Sequence, residues 1–157
     1  SKLLTHKLGK LHRAFSIFIF NDENKLLIQQ RALHKYHCAG QWANTCCSHP
    51  RPNEITHDAA YRRLYEELGF NTELLYVGNL IYRAEVSGGL IEHEYDHIFI
   101  GYYNGQVKFN PEEVAAVEWI EIPELINQIN KTPEKFTPWV KEILTKFPDF
   151  KFKIMNS

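Results

Sequence analysis

The 157-residue chain reads as a mixed protein of the α+β or α/β class. Three observations point there. Apolar runs of strand length, such as Ala14–Phe20, are separated by turn residues. One long stretch carries apolar residues at helical spacing and stops at a glycine. Two further helical segments follow the strands near the C-terminal end.

Ala14–Phe20 is the first strand, and the turn Asn21-Asp22-Glu23-Asn24 joins it to a second at Lys25–Gln30. Ala32–Trp42 reads as a loop around Gly40. A helix is predicted over Asn53–Leu68. Ile55, Ala59, Ala60, Leu64 and Leu68 form its apolar stripe, and Gly69 supplies the stop. Leu74–Val86 and Leu90–Tyr103 pair as strands around the Ser87-Gly88-Gly89 turn. Asn104-Gly105 is a hairpin signal leading into Gln106–Phe109. Val114–Ile120 is a further strand, and helices follow near Pro123–Ile129 and Thr137–Phe147. No repeat, low-complexity tract or long linker interrupts the chain, so one domain over residues 1–157 is expected.

Eighteen Lys and Arg against nineteen Asp and Glu leave a formal net charge of −1. That balance offers no bulk attraction to nucleic acid or to an anionic membrane, so neither is expected as a partner. Anion binding has to come from a local cluster. Apolar residues at 44% exclude a disordered composition. No apolar run approaches the roughly 18 residues that span a bilayer. Lys2, Lys7 and Lys10 precede the first apolar run in the manner of a secretory signal, but His12 and Arg13 abut it and a polar turn ends it, so it reads as a strand. Cys38, Cys46 and Cys47 are odd in number, include an adjacent pair and form no CxxC, which predicts free thiols in a reducing, cytoplasmic setting.

Several groups of residues have chemical potential. In Thr45-Cys46-Cys47-Ser48-His49-Pro50 a cysteine stands two residues before a histidine, which suits a nucleophile, an acid/base pair or metal ligation. The plain alternative is a buried thiol acting as a small hydrophobe. In Glu92-His93-Glu94 the strand alternation points Glu92, Glu94 and Asp96 the same way, and neighbouring carboxylates repel unless a cation or a proton sits between them. His6, His12 and His49 supply imidazoles that, with carboxylates, suit a divalent transition metal. Arg63 and Glu67 lie one helical turn apart, which reads as a surface ion pair or as a phosphate-binding arginine beside an Mg²⁺-binding carboxylate. Arg31 and Lys35 are cations after the second strand that can clamp a phosphate. Trp139 after Pro138 is either core or a π face for a cation.

Together and in this order these segments resemble a type I isopentenyl diphosphate isomerase of the Nudix superfamily, from about Lys2 to the Trp139 helix. The Nudix helix pattern falls on Ser48, Glu54, Arg62, Arg63, Leu64, Glu66, Glu67, Gly69 and Phe70. Ser48 replaces its first glycine, and Arg63 replaces the glutamate after the arginine. Trp42-Ala43-Asn44-Thr45-Cys46-Cys47-Ser48-His49-Pro50 resembles the family's cysteine segment, and Tyr82-Arg83-Ala84 with Glu92-His93-Glu94 its second active-site segment.

The resemblance implies a Nudix-type α/β/α sandwich around a mixed sheet. It implies Cys47, Glu94, Tyr82 and Trp139 as catalytic residues, with Cys46 a bystander. His6, His12, His49, Glu92 and Glu94 would hold one divalent metal (Mn, Mg or Zn). Arg31, Lys35, Arg63 and Lys2 would bind a diphosphate, and Glu67 an Mg²⁺ carried with it. The reaction implied moves a double bond between isopentenyl and dimethylallyl diphosphate through a carbocation-like intermediate, in a monomer acting on a small-molecule substrate. The competing expectation is a Nudix hydrolase of a nucleoside or other diphosphate. Arg63 at a metal-carboxylate position argues against it, because a cation there repels the metals that activate water.

Overall fold

The computed structural model describes residues 12–35, 38–86 and 90–146, with backbone only at Tyr82, Ala84, Glu85, Val86, Leu90 and Glu92. His6 and Lys2 lie outside the described residues. The chain runs β1 (His12–Phe20), β2 (Lys25–Arg31), β3 (Trp42–Ala43), β4 (Cys46–Ser48), α1 (Thr56–Leu68), β5 (Leu74–Val86), β6 (Leu90–Tyr102), β7 (Val114–Glu121), α2 (Ile122–Lys131), a 3₁₀ turn (Pro133–Lys135) and α3 (Pro138–Lys146).

The strands form one mixed sheet, with the path β3-β2-β1-β6-β5. β4 pairs with β1 and β7 with β2, both antiparallel. The central pair, β1 with β6, is parallel and sets His12 opposite Glu94. β1 can sit at the centre because it is apolar on both sides: Phe15, Ile17 and Ile19 face one way and Phe18 and Phe20 the other, all fully buried. The first set packs with Ala59, Ala60, Leu64 and Leu68 of α1. The second packs with Leu125 and Ile129 of α2 and with Trp139, Val140, Ile143 and Leu144 of α3. The helices therefore cover both faces of the sheet, which is an α/β/α sandwich.

Three sequence expectations need correction. The helix begins at Thr56 rather than Asn53, because Asn53 adopts φ 66° and Ile55 remains extended. Ile55 consequently leaves the apolar stripe and is 66% exposed. Residues 106–110 form no strand, since their backbone hydrogen bonds go elsewhere. Lys108 N donates to Leu68 O at 3.2 Å and Asn110 N to Glu67 O at 2.8 Å, so the segment satisfies carbonyls at the C-terminal end of α1. The close approach requires Gly69, with φ 75°, because a Cβ there would stand 2.4 Å from the Lys108 carbonyl oxygen. The short strands β3 and β4, within and beside the expected loop, carry no local signal of their own.

Candidate active site

The pleat of β4 separates the two adjacent cysteines. Cys46 packs on the α1 side, fully buried. Cys47 turns to the other face, opposite Ser16 of β1, and lies partly buried against the α2–α3 core. Its Sγ stands 3.0 Å from Asn44 Oδ1, 3.5 Å from Ser16 Oγ and 3.0 Å from Trp139 Nε1, which donates to it. Ser16 in turn donates to the buried Asp96 carboxylate, at 2.9 Å to Oδ2. Burial first, and then the Asp96 charge, push the Cys47 thiol far above the ordinary cysteine range.

Trp139 reaches this sulfur because its helix is tied to the cysteine segment. Thr137 N donates to Trp42 O at 2.9 Å, and Phe136 bridges Trp42 as a strand partner. Pro138 then starts α3. The Arg31 guanidinium lies 5.7 Å from the centre of the Trp139 ring.

On the same face of the sheet, one end of β1 meets β6 at a second cluster. His12 Nε2 and His49 Nε2 are 2.9 Å apart, and Glu94 Oε1 is 3.1 Å from His49 Nε2 and 3.7 Å from His12 Nε2. Ligand atoms sharing an ion at about 2.0–2.2 Å stand roughly 3–3.5 Å from one another, so this convergence of two imidazole nitrogens and a carboxylate oxygen fits a divalent metal. The register brings the Tyr82 backbone opposite Glu94 and that of Ala84 opposite Glu92.

The cationic residues divide. Arg31 belongs to the Cys47–Trp139 side. Lys35, Arg63 and Glu67 form an ion cluster on the α1 side of the sheet. Lys35 Nζ pairs closely with Glu113. Arg63 donates to Glu67 at 2.7 Å and Glu66 at 2.8 Å, and pairs with Glu113 at 3.3 Å. Glu67 is 5% exposed and takes a further bond of 2.8 Å from Gln29 Nε2. Glu54, paired with Arg62, has its carboxyl held down to about 2.

Burial pushes the Glu113 carboxyl up, but the Lys35 and Arg63 cations outweigh it and hold it below the usual range. A carboxyl depressed in the folded state adds stability above its unfolded pKa of about 4.3, and that stability is lost as pH falls through the folded value. The thermal midpoint of Glu113→Gln should therefore fall less steeply than that of the parent chain below about pH 4.3. Identical acid slopes would contradict the assignment.

A NUDIX domain family matches residues 10–140. The MutT protein of Methanosarcina mazei Go1 superposes with TM-score 0.73 at 16% identity, over 88% of this chain and 93% of that one. DR0079 of Deinococcus radiodurans superposes with TM-score 0.74 at 16% identity, over 86% and 82%. At that identity the likeness concerns the fold. The sequence relatives are far closer. The isopentenyl-diphosphate Delta-isomerase of Serratia proteamaculans is 51% identical over 144 residues, 92% of this chain and 80% of the relative.

The chain belongs to the isopentenyl-diphosphate Delta-isomerase family, within the NUDIX fold.

A second isopentenyl-diphosphate Delta-isomerase, from Jannaschia sp., aligns over 97% of this chain and 88% of its own length at 46% identity. Within this isomerase-family chain, sequence reasoning singled out neither Ser16 nor Gln29, grouped Asp96 only with the Glu92/Glu94 carboxylates, and gave Asn44, inside the cysteine segment, no role of its own. Ser16 had a signal, being a lone hydroxyl within the apolar run of β1. Asp96 had one too, on the face of Glu94. Gln29 had none, because its partners, the Thr45 carbonyl and the Glu67 carboxylate, come from distant segments.

Proposed function

We propose that this chain carries out the double-bond migration between isopentenyl and dimethylallyl diphosphate, with Cys47 and Glu94 as its two acid/base groups. The observation that carries the reading is their convergence from β4 and β6 on one sheet face, beside a buried tryptophan and a His/Glu cluster.

An isolated alkene is a very weak base, so the barrier is formation of a tertiary cation. Protonation at one end and proton removal two carbons away need two groups. Cys47 and Glu94 exchange these roles between the forward and reverse directions. The backbone register of Tyr82 with Glu94 supports Tyr82 as an assisting proton donor. The Trp139 π face stabilises the developing cation, by about 2 kcal/mol or more once water is excluded. Exclusion of water also prevents capture of the cation as an alcohol. The apolar side chains of β1, β6 and α3 around Cys47 support such a dry site.

His12, His49 and Glu94, with His6 and Glu92 as further proposed ligands, would hold one divalent ion (Mn, Mg or Zn). Such an ion would supply Lewis acidity that lowers the proton affinity of the Glu94 carboxyl. In this reading Arg31, beside Trp139 on the Cys47 face, is the cation placed to bind the diphosphate near the reacting end. Lys35, Arg63 and Lys2, with Glu67 for Mg²⁺, are proposed from the resemblance, although Lys35, Arg63 and Glu67 sit on the α1 side. Diphosphate oxygens would displace Glu113 from Lys35 and Arg63, which exchanges one anion for another on the same cations. Remote binding of this kind orients the reacting end of the substrate. The chain acts as a cytoplasmic monomer in this reading. Among the described residues no helix is long and apolar enough to cross a membrane.

The direct test is proton NMR of the protein with isopentenyl diphosphate, Mg²⁺ and Mn²⁺ in D₂O. Dimethylallyl signals with deuterium at the exchanged carbons are expected. Phosphate release without them would replace the reading by hydrolysis.

A further inference from the structure

We propose that Asn44 is the positioning residue of the Cys47 thiol. The inference rests on the proposed role of Cys47 and adds to it the group that sets where its proton lies. Asn44 is completely buried in the bend between β3 and β4. Its amide nitrogen donates to Ile17 O at 3.0 Å and to Cys46 O at 3.3 Å. Turning the amide over would set its oxygen against both carbonyls. The orientation is therefore fixed by the backbone of β1 and β4, and Oδ1 is left aimed at Cys47 Sγ, 3.0 Å away.

The chemistry of the sulfur's neighbours then orders its proton. Trp139 Nε1–H only donates, so it occupies a sulfur lone pair. Asn44 Oδ1 only accepts, so it takes the S–H. Ser16 Oγ lies further off at 3.5 Å and already donates to Asp96. A donor and an acceptor on opposite duties thus hold one thiol rotamer, and the Asn44 half is anchored to β4, which carries the cysteine, and to β1, which pairs with it. Gln29 does comparable work on the other face by tying Thr45 O to Glu67, at 2.8 Å each, but it does not touch the sulfur.

The test compares Asn44→Ala, Cys47→Ala and the parent enzyme, all metal-loaded, with isopentenyl diphosphate. A lost positioning contact should lower kcat about 10²-fold, because a misplacement of about 1 Å at a reacting group costs that much. KM should stay within about twofold, and bound metal should equal that of the parent, since Asn44 bonds to none of the proposed metal ligands or diphosphate-binding residues. An unchanged kcat in folded Asn44→Ala, with Cys47→Ala inactive, overturns the Asn44 assignment alone. Full turnover in Cys47→Ala overturns the site reading instead. Parallel loss of kcat, KM, metal and thermal stability in Asn44→Ala marks a merely structural residue and overturns the proposal. Where Asn44→Ala does not fold, the side-chain ¹³Cγ resonance of Asn44 decides. It should move between the parent protein and Cys47→Ala, and no movement overturns the contact.

Discussion

Cys47→Ala is expected to lower turnover of isopentenyl diphosphate by about 10²–10⁴-fold, the range for loss of a positioned acid/base group, in a protein that remains folded. The side chain is small and only partly buried, and its removal leaves the Trp139 N–H without its sulfur acceptor. That removal also leaves the buried Asn44 Oδ1 without its thiol donor, and the stability cost should be about 1–3 kcal/mol for each buried group left unpaired. Cys46→Ala is the matched control. Cys46 is fully buried on the opposite face among Phe15, Ile17 and the α1 side chains, where burial first and then the Glu67 charge raise its thiol pKa. Its loss should lower stability and leave kcat nearly intact. Steady-state kinetics and urea denaturation of both variants separate the two outcomes. Full activity in Cys47→Ala, or an inactive but folded Cys46→Ala, would reverse the assignment.

The second large effect is expected at Glu94. Glu94→Gln keeps the shape of the side chain and removes its charge. The carboxylate faces two imidazole nitrogens, at 3.1 and 3.7 Å, so its loss removes the proposed anionic ligand and one proposed acid/base group together. Turnover should fall by about 10²–10⁴-fold, and metal content by elemental analysis should fall with it. Excess Mn²⁺ or Mg²⁺ should not restore the parent rate, because the proton-transfer group stays absent. A Glu94→Gln protein with full metal and near-parent kcat would rule out both roles.

Much of this site was legible along the chain. The apolar run of β1, the stripe Ala59, Ala60, Leu64 and Leu68 with its Gly69 stop, and the segment from Trp42 to Pro50 are local patterns with local causes. The failures were also local readings. Ile55 fitted the helical spacing, yet extended backbone at that residue delays the helix. Asn104-Gly105 signalled a hairpin, yet the carbonyls at the end of α1 took the N–H groups of Lys108 and Asn110. In both cases hydrogen bonds with another segment, or the turn before it, overrode the pattern.

The sequence by itself determined which chemistry was available: thiols, imidazoles, carboxylates and cations, in an order that resembles one family. Only the tertiary structure decided how they meet. Parallel pairing of β1 with β6 sets His12 against Glu94 across 82 positions of chain. The β4 pleat turns Cys47 toward Ser16 and Trp139, and it turns Cys46 away. Two carbonyls of β1 and β4 lock the Asn44 amide with its oxygen on the thiol. Side-chain identity is written residue by residue. Register and facing are set by burying both sides of β1 at once, and that condition depends on segments far apart in the chain.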